Sequence, residues 1–286
     1  MQLNYLDIDA SQLNEIQSFD WMVRSLSQGY RTGKKLSRKL GAGMEFSQYR
    51  PYSQGDDLRR LDWKMYARSD RYYIKESEIE TQLEVTFILD HSQSMAYAEG
   101  GHSKWQFAKL LTGILSYFSL LEGDSIGLAV GPKHLYNQQE RSWKRFLFEL
   151  SQQKTSTNFI PPAIINQHKK ELFVVLTDHY DESGDIPNFV TQLKTGINEV
   201  VILHLMGAKE RLLNFNYGDR FKDLETQEQI TFDNSYQVTY REKINQWISD
   251  LNQQYLDKSI DYLPIDFTDP FAKAIEQIQQ QRKKLL

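Results

Sequence analysis

The chain has 286 residues, 40% hydrophobic and 25% charged, with a formal net charge of −4 and no cysteine. This is an ordinary globular composition, long enough to bury a core, and it excludes disulfides and thiolate metal sites. No apolar run approaches the roughly 18–20 residues of a membrane helix, and the acidic start MQLNYLDIDA lacks a signal-peptide layout, so no membrane span and a cytoplasmic location are expected.

In chain order, a first helix is predicted over about 10–28. A loop-rich stretch follows, with Gly29, Gly33, Gly41, Gly43, Pro51 and Gly55. Residues 22–75 hold 13 Lys/Arg against 5 Asp/Glu, a local charge of +8, so the remainder carries −12. Such a split suits an acidic partner or nucleic acid, or a basic segment packed on the chain's own acidic half.

From residue 83 the pattern becomes regular. Apolar, β-rich runs stand at LEVTFIL (83–89), SIGLAVG (125–131), LFVVLTD (172–178), EVVILHLM (199–206) and IDYLPIDF (260–267). Near-continuous apolar runs of this length fit strands buried on both faces. Between them, Phe107, Leu111, Ile114, Phe118 and Leu121 form one helical stripe. SKWQ (103–106) offers capping-box spacing at its start and Gly123 a left-handed stop at its end. Further helices are predicted near 142–152, 186–195, 236–257 and 269–284. The segment RFKDLETQEQITFD (220–233) reads as an appended hairpin. Alternating strands and helices imply an α/β fold with a parallel sheet and right-handed crossovers. The expected division is 1–79, an N-terminal helix and basic extension, and 80–286, the sheet domain.

The first strand runs into ILDHSQSM (88–95), which sets Asp90, Ser92 and Ser94 on one loop. In an open parallel sheet, ligands bind beyond the carboxyl ends of the strands, so Asp90 should project into that crevice. A carboxylate with two hydroxyls is hard-ligand chemistry, suited to Mg²⁺ or Mn²⁺. Asp178 ends another strand in the same topological position, and Thr157 in KTSTNF (154–159) could add a hydroxyl. Alternatively, Asp90 and the serines cap the following helix.

The Asp-x-Ser-x-Ser loop, a distant Thr and a distant Asp resemble the metal-ion-dependent adhesion site of von Willebrand factor A-like domains. That resemblance implies direct metal contacts from Ser92, Ser94 and Thr157. It gives Asp90 and Asp178 roles through water or behind the ligands, and leaves one position for an Asp or Glu of a protein partner. Upstream, GAGMEFSQYRPYSQGDDLRRLDWKMYARSDRYYIKE (41–76) is similar to the hallmark of the bacterial domain-of-unknown-function family fifty-eight. SKWQFAKLLTGILSYFSLLEGDSIGL and RFKDLETQEQI extend that likeness to about 10–270. Where the family usually reads Gly-Gly-Thr-Asp, this chain reads TSTN (155–158). The resemblance implies an adaptor or co-chaperone role beside a MoxR-type AAA+ ATPase.

In RPYSQGDDLRRLDW, SQGDD reads as a turn, and acids alternating with Arg59 and Arg60 offer bidentate pairs. The stretch is either a brace or a docking face built on Arg59, Arg60, Trp63 and Arg68. Among enzyme readings, GYRTGKK (29–35) is one residue short of a phosphate-binding loop and lacks its hydroxyl. A phosphatase using Asp90 would need a second Asp where Ser92 stands. A serine hydrolase would pair Ser92 or Ser94 with His91 or His179, which flank the two acids, yet no Gly-x-Ser-x-Gly elbow exists. These histidines are otherwise expected on solvent-exposed loops or at a docking face. A metal-dependent hydrolase thus remains an alternative. So does nucleic-acid binding through 22–75, although the recognised motifs of that class are missing.

Overall fold

The computed structural model describes residues 20, 45–53, 56, 61–78, 83–137, 143–156, 158–163, 171–181, 183–213, 220–222, 229–231, 237–271 and 273–278. The helix expected over 10–28 lies outside the described residues apart from Asp20, as do Arg59, Arg60 and Thr157.

Chain contacts separate a compact unit, Lys34–Gln82, from the unit that holds Leu83–Leu286. In the smaller unit, β1 (Glu45–Pro51) pairs antiparallel with β2 (Tyr73–Glu78), and α1 (Trp63–Ser69) lies between them in the chain. The sequence pattern suggested only loops here. A seven-residue helix carries too few residues for a periodic stripe, and two short strands separated by a helix leave no local pairing signal. Asp62 starts α1 by accepting from the backbone N–H of Lys64 (2.9 Å) and Met65 (3.0 Å), so this acid of the alternating run serves as a helix cap. Asp70 ends α1 in the left-handed conformation, φ 53°.

The larger unit follows the predicted rhythm closely. Its elements are β3 (Glu84–Leu89), a short 3₁₀ turn (Gln93–Ala96), β4 (Ala98–Glu99), β5 (His102–Ser103), α2 (Lys104–Leu121), β6 (Ser125–Val130) and β7 (Lys133–Asn137). Then come α3 (Trp143–Gln152), β8 (Glu171–Thr177), α4 (Asp185–Leu193), β9 (Glu199–Met206) and α5 (Ala208–Leu212). The series closes with β10 (Arg220–Lys222), β11 (Gln229–Thr231), α6 (Gln237–Leu256) and β12 (Asp261–Asp266). Residues 273–278 are helical, within the last predicted helix.

Among the described residues one six-stranded sheet has the order β12-β9-β8-β3-β6-β7. Its first five strands are mutually parallel. β7, which no apolar run announced, closes the edge antiparallel to β6. β10 and β11 form a separate two-stranded hairpin. This is the α/β architecture expected from the sequence, a central parallel sheet flanked by helices.

The sheet is covered on both faces, which is why its strands read as unbroken apolar runs. Val85, Phe87 and Leu89 of β3 pack with Phe107, Leu111 and Ile114 of α2. Ile88 faces the other layer, with Phe173, Val175, Val190 of α4 and Leu251 of α6. Each such side chain contributes roughly 1.5–3 kcal/mol when fully buried. The start of α2 is fixed by the capping box the spacing announced. Ser103 Oγ accepts from Gln106 N (3.1 Å) and Gln106 Oε1 from Ser103 N (2.9 Å). Gly123 stops the helix at φ +85°.

Candidate functional site

From β3 the chain leaves to one side, into β6, and later returns on the other side, into β8. The strand order therefore reverses between β3 and β8. In parallel sheets such a switch point opens a crevice at the carboxyl ends of the strands. Asp90 follows β3 and Asp178 follows β8, so register alone brings the two acids together.

Asp90 does not project into the crevice as expected. It is fully buried, with Oδ1 accepting from Ser92 N (2.9 Å) and Oδ2 from Thr177 Oγ1 (2.7 Å). Thr177 also accepts from His179 N (3.0 Å), so one hydroxyl ties both acid loops together. Burial, and then the nearby Asp178 charge, push the Asp90 carboxyl up to about 6.

The serines are not spent on capping. Ser92 makes no side-chain cap to the 3₁₀ turn it precedes. Ser94 Oγ donates to Asp178 Oδ1 (3.1 Å), and Ser92 Oγ lies 2.9 Å from Ser94 Oγ. Since Ser94 gives its proton to Asp178, Ser92 donates to Ser94. Ser156 N donates to the His91 carbonyl (2.5 Å), so residue 156 meets the Asp90 loop; Thr157 lies outside the described residues.

Two residues at this site escaped the sequence reading. Lys104, the first residue of α2, is fully buried. Its ammonium donates to Asp178 Oδ2 (2.8 Å) and to Glu210 Oε1 (2.6 Å) of α5. It also lies 4.9 Å from the centre of the Tyr180 ring and 5.3 Å from that of Tyr97. Glu210 is held in turn by Gly207 N (2.9 Å). Burial by itself would lower the Lys104 pKa, but the two carboxylates outweigh it and the net direction is upward. The lysine therefore stays charged. Its spacing offered a signal: Lys104 stands three, four and seven residues before the buried Phe107, Ala108 and Leu111, on the apolar stripe itself.

His91 and His179 correct an expectation. Neither is solvent-exposed; each retains 6% of its surface. They also lie apart. His91 abuts Gly131, where an added Cβ would meet its Nε2 at 2.9 Å. His179 packs on His204 (5.2 Å between ring centres) and Tyr255 (5.6 Å). Desolvation lowers both imidazoles, His179 to about 4, so both are neutral near pH 7. Among the described residues neither serine hydroxyl is paired with an imidazole. Of the other residues read as a docking face, Trp63 is 64% exposed and Arg68 is exposed in the last turn of α1.

Among the described residues no three His, Cys, Asp or Glu side chains form a metal cage, so an ion here would depend on hydroxyl donors. The spacing set by their hydrogen bonds is also one that an octahedral ion accepts. An octahedral ion with bonds of about 2.1 Å sets neighbouring oxygens about 3.0 Å apart. Ser92 Oγ to Ser94 Oγ is 2.9 Å and Ser94 Oγ to Asp178 Oδ1 is 3.1 Å.

A family model described as protein of unknown function DUF58 matches residues 48–253, well over half of the chain. The chain belongs to that family. The uncharacterised protein Mb1516 of Mycobacterium bovis is 25% identical to this DUF58 chain over 125 residues, 43% of this chain and 39% of that protein. The match thus spans about two-fifths of that relative's length. Among solved structures, the conserved hypothetical protein BatB of Bacteroides thetaiotaomicron aligns over 71% of this chain and 99% of its own, at 16% identity and TM-score 0.44. An aerotolerance-related membrane protein of Bacteroides fragilis, with multiple mutations to serines, aligns over 68% and 97%, at 20% identity and TM-score 0.38. A von Willebrand factor type A structure from Catenulispora acidiphila aligns over 47% and 35%, at 15% identity and TM-score 0.33.

The cytoplasmic expectation is corrected by these comparisons. It rested on the lack of an apolar span, yet the Bacteroides fragilis neighbour is a membrane protein by description. Among the described residues no helix is long and apolar enough to cross a membrane, and that observation assigns no compartment.

Proposed function

We propose that this DUF58 chain is a non-catalytic protein-binding module whose contact depends on a divalent metal, Mg²⁺ or Mn²⁺. Ser92, Ser94 and Thr157 would hold the ion, with Asp90 and Asp178 supporting it from behind. When bound, the ion supplies a positive vertex for an Asp or Glu of the partner. The observation that carries this reading is the use of the serine hydroxyls. Ser92 leaves its turn uncapped, and its hydroxyl meets Ser94 Oγ (2.9 Å), which in turn reaches Asp178 Oδ1 (3.1 Å).

The partner we assign is a MoxR-type AAA+ ATPase, which the family resemblance implies, with this chain as its adaptor or co-chaperone.

The test has two readouts. Mn²⁺ titration followed by electron paramagnetic resonance is expected to show one site, lost in Ser92→Ala with the fold retained by circular dichroism. Capture of the purified ATPase is expected in Mg²⁺ and to disappear with EDTA or Ser92→Ala. A folded Ser92→Ala protein that holds Mn²⁺ and captures the ATPase as well as the wild type would defeat the proposal.

A further inference from the structure

Lys104 is the unexplained feature of this site. A fully buried ammonium is costly unless its charge is met, and a helix start does not need one. Here it is met twice, by Asp178 at 2.8 Å and by Glu210 at 2.6 Å. Asp178 divides its two oxygens. Oδ1 faces Ser94 and the backbone N–H of Tyr180, while Oδ2 is taken by the lysine. Glu210 is differently placed, since its side chain keeps 13% of its surface and it belongs to α5, beyond β9.

We propose that Lys104 is a built-in competitor cation that limits how tightly this site holds a divalent ion, with Glu210 as the counter-charge that offsets it. The inference rests on the metal-binding reading above. The charges give its logic. Asp90, Asp178 and Glu210 contribute −3 and Lys104 +1, a net of −2. Replacing the lysine by a neutral residue makes the site −3. Neutralising Glu210 makes it −1. Doing both restores −2. One unit of charge about 6 Å from a dication changes affinity by about tenfold even at the dielectric of bulk water, and by more at a lower dielectric. Lys104 is thus a positioning residue, acting on the ion through Asp178. A site tuned down in this way binds its ion best when an incoming carboxylate adds negative charge, so ion and partner reinforce each other.

The experiment is a Mn²⁺ titration of the full chain, by electron paramagnetic resonance, in wild type, Lys104→Met, Glu210→Gln and the double variant. The expected order of affinity is Lys104→Met tightest, by about tenfold over wild type. The double variant should match wild type within about threefold, and Glu210→Gln should be about tenfold weaker. A merely structural role predicts the reverse for the lysine, because loosening Asp178 would weaken binding in all three variants. That outcome, or no change in any variant, overturns the inference. Should Lys104→Met fail to fold, the double variant still decides: it buries no unpaired Glu210, the proposal keeps it near wild-type affinity, and a structural role weakens it. The two proposals fail distinguishably. Wild type that binds Mn²⁺ in a Ser92-dependent way but gives the wrong order sinks only the lysine's role. A wild type and Lys104→Met that both leave Mn²⁺ unbound sink both.

Discussion

The loop that follows β3 and the α1 region of the smaller unit treat their candidate side chains in opposite ways. After β3 the polar groups are buried and answer one another: Asp90 with Thr177, Ser94 with Asp178, Asp178 with Lys104. Around α1 the aromatic groups are exposed and answer one another. Tyr66 stacks on Tyr72 at 4.5 Å, Trp63 meets Tyr66 edge-on at 6.3 Å, and Trp63 and Tyr72 remain 64% and 49% exposed. The first arrangement stores electrostatic energy, because each charge has been taken out of water and depends on its partners. The second has little at stake in the fold itself. Substitutions should therefore act strongly on stability at the first region and weakly at the second.

The largest effect is expected at Lys104. In metal-free protein, Lys104→Met leaves Asp178 and Glu210 buried without their cation and should cost about 3–5 kcal/mol in urea unfolding. A cost below about 1 kcal/mol would show that water reaches the pair and would erase the contrast with α1.

Asp90 comes next, with the opposite sign. Its carboxyl is raised from 3.8 to about 6 by burial and by Asp178, so the folded chain holds that proton more tightly than the unfolded chain. Its contribution to stability is fully present below about pH 4 and is lost as pH rises through about 6. His179 and His204, whose pKa values burial lowers, act in the other direction across this window. The difference between variants isolates Asp90. Asp90→Asn should equal wild type near pH 4 and exceed it by about 2–3 kcal/mol at pH 8 without metal. Paired urea melts at the two pH values measure this; a difference that does not vary with pH would remove the buried charge from the account.

Loss of the cap in Ser103→Ala should cost about 1 kcal/mol, read as a lower thermal midpoint. The smallest effect belongs to α1. Trp63→Ala is expected to change stability by less than about 0.5 kcal/mol. If it destabilises by more than 1.5 kcal/mol, Trp63 braces the fold, and its exposure is no argument for docking.

Much of the site could be read from residue order because its acids terminate strands. A run such as LFVVLTD announces a buried strand, and the residue where the apolar pattern stops lies at its carboxyl end. That is how Asp90 and Asp178 were legible. Lys104 stands on the apolar stripe of α2, which hints at burial, but its partners Asp178 and Glu210 lie 74 and 106 residues away and no local pattern couples them. β7 was missed because KHLYN (133–137) holds no run of apolar residues, and its place in the sheet comes from backbone pairing with β6.

Residue order by itself determined the five parallel strands, the longer helices between them but not α5, the capped start of α2 and the presence of hard oxygen donors beside the first strand. Periodicity and capping are local, so they survive without knowledge of the fold. Only the tertiary structure decided that Asp90 turns inward, that the two histidines are buried on separate sides, and that a lysine ammonium sits against Asp178. Those outcomes depend on which distant groups remove water from a charge, and desolvation is a property of the packed chain.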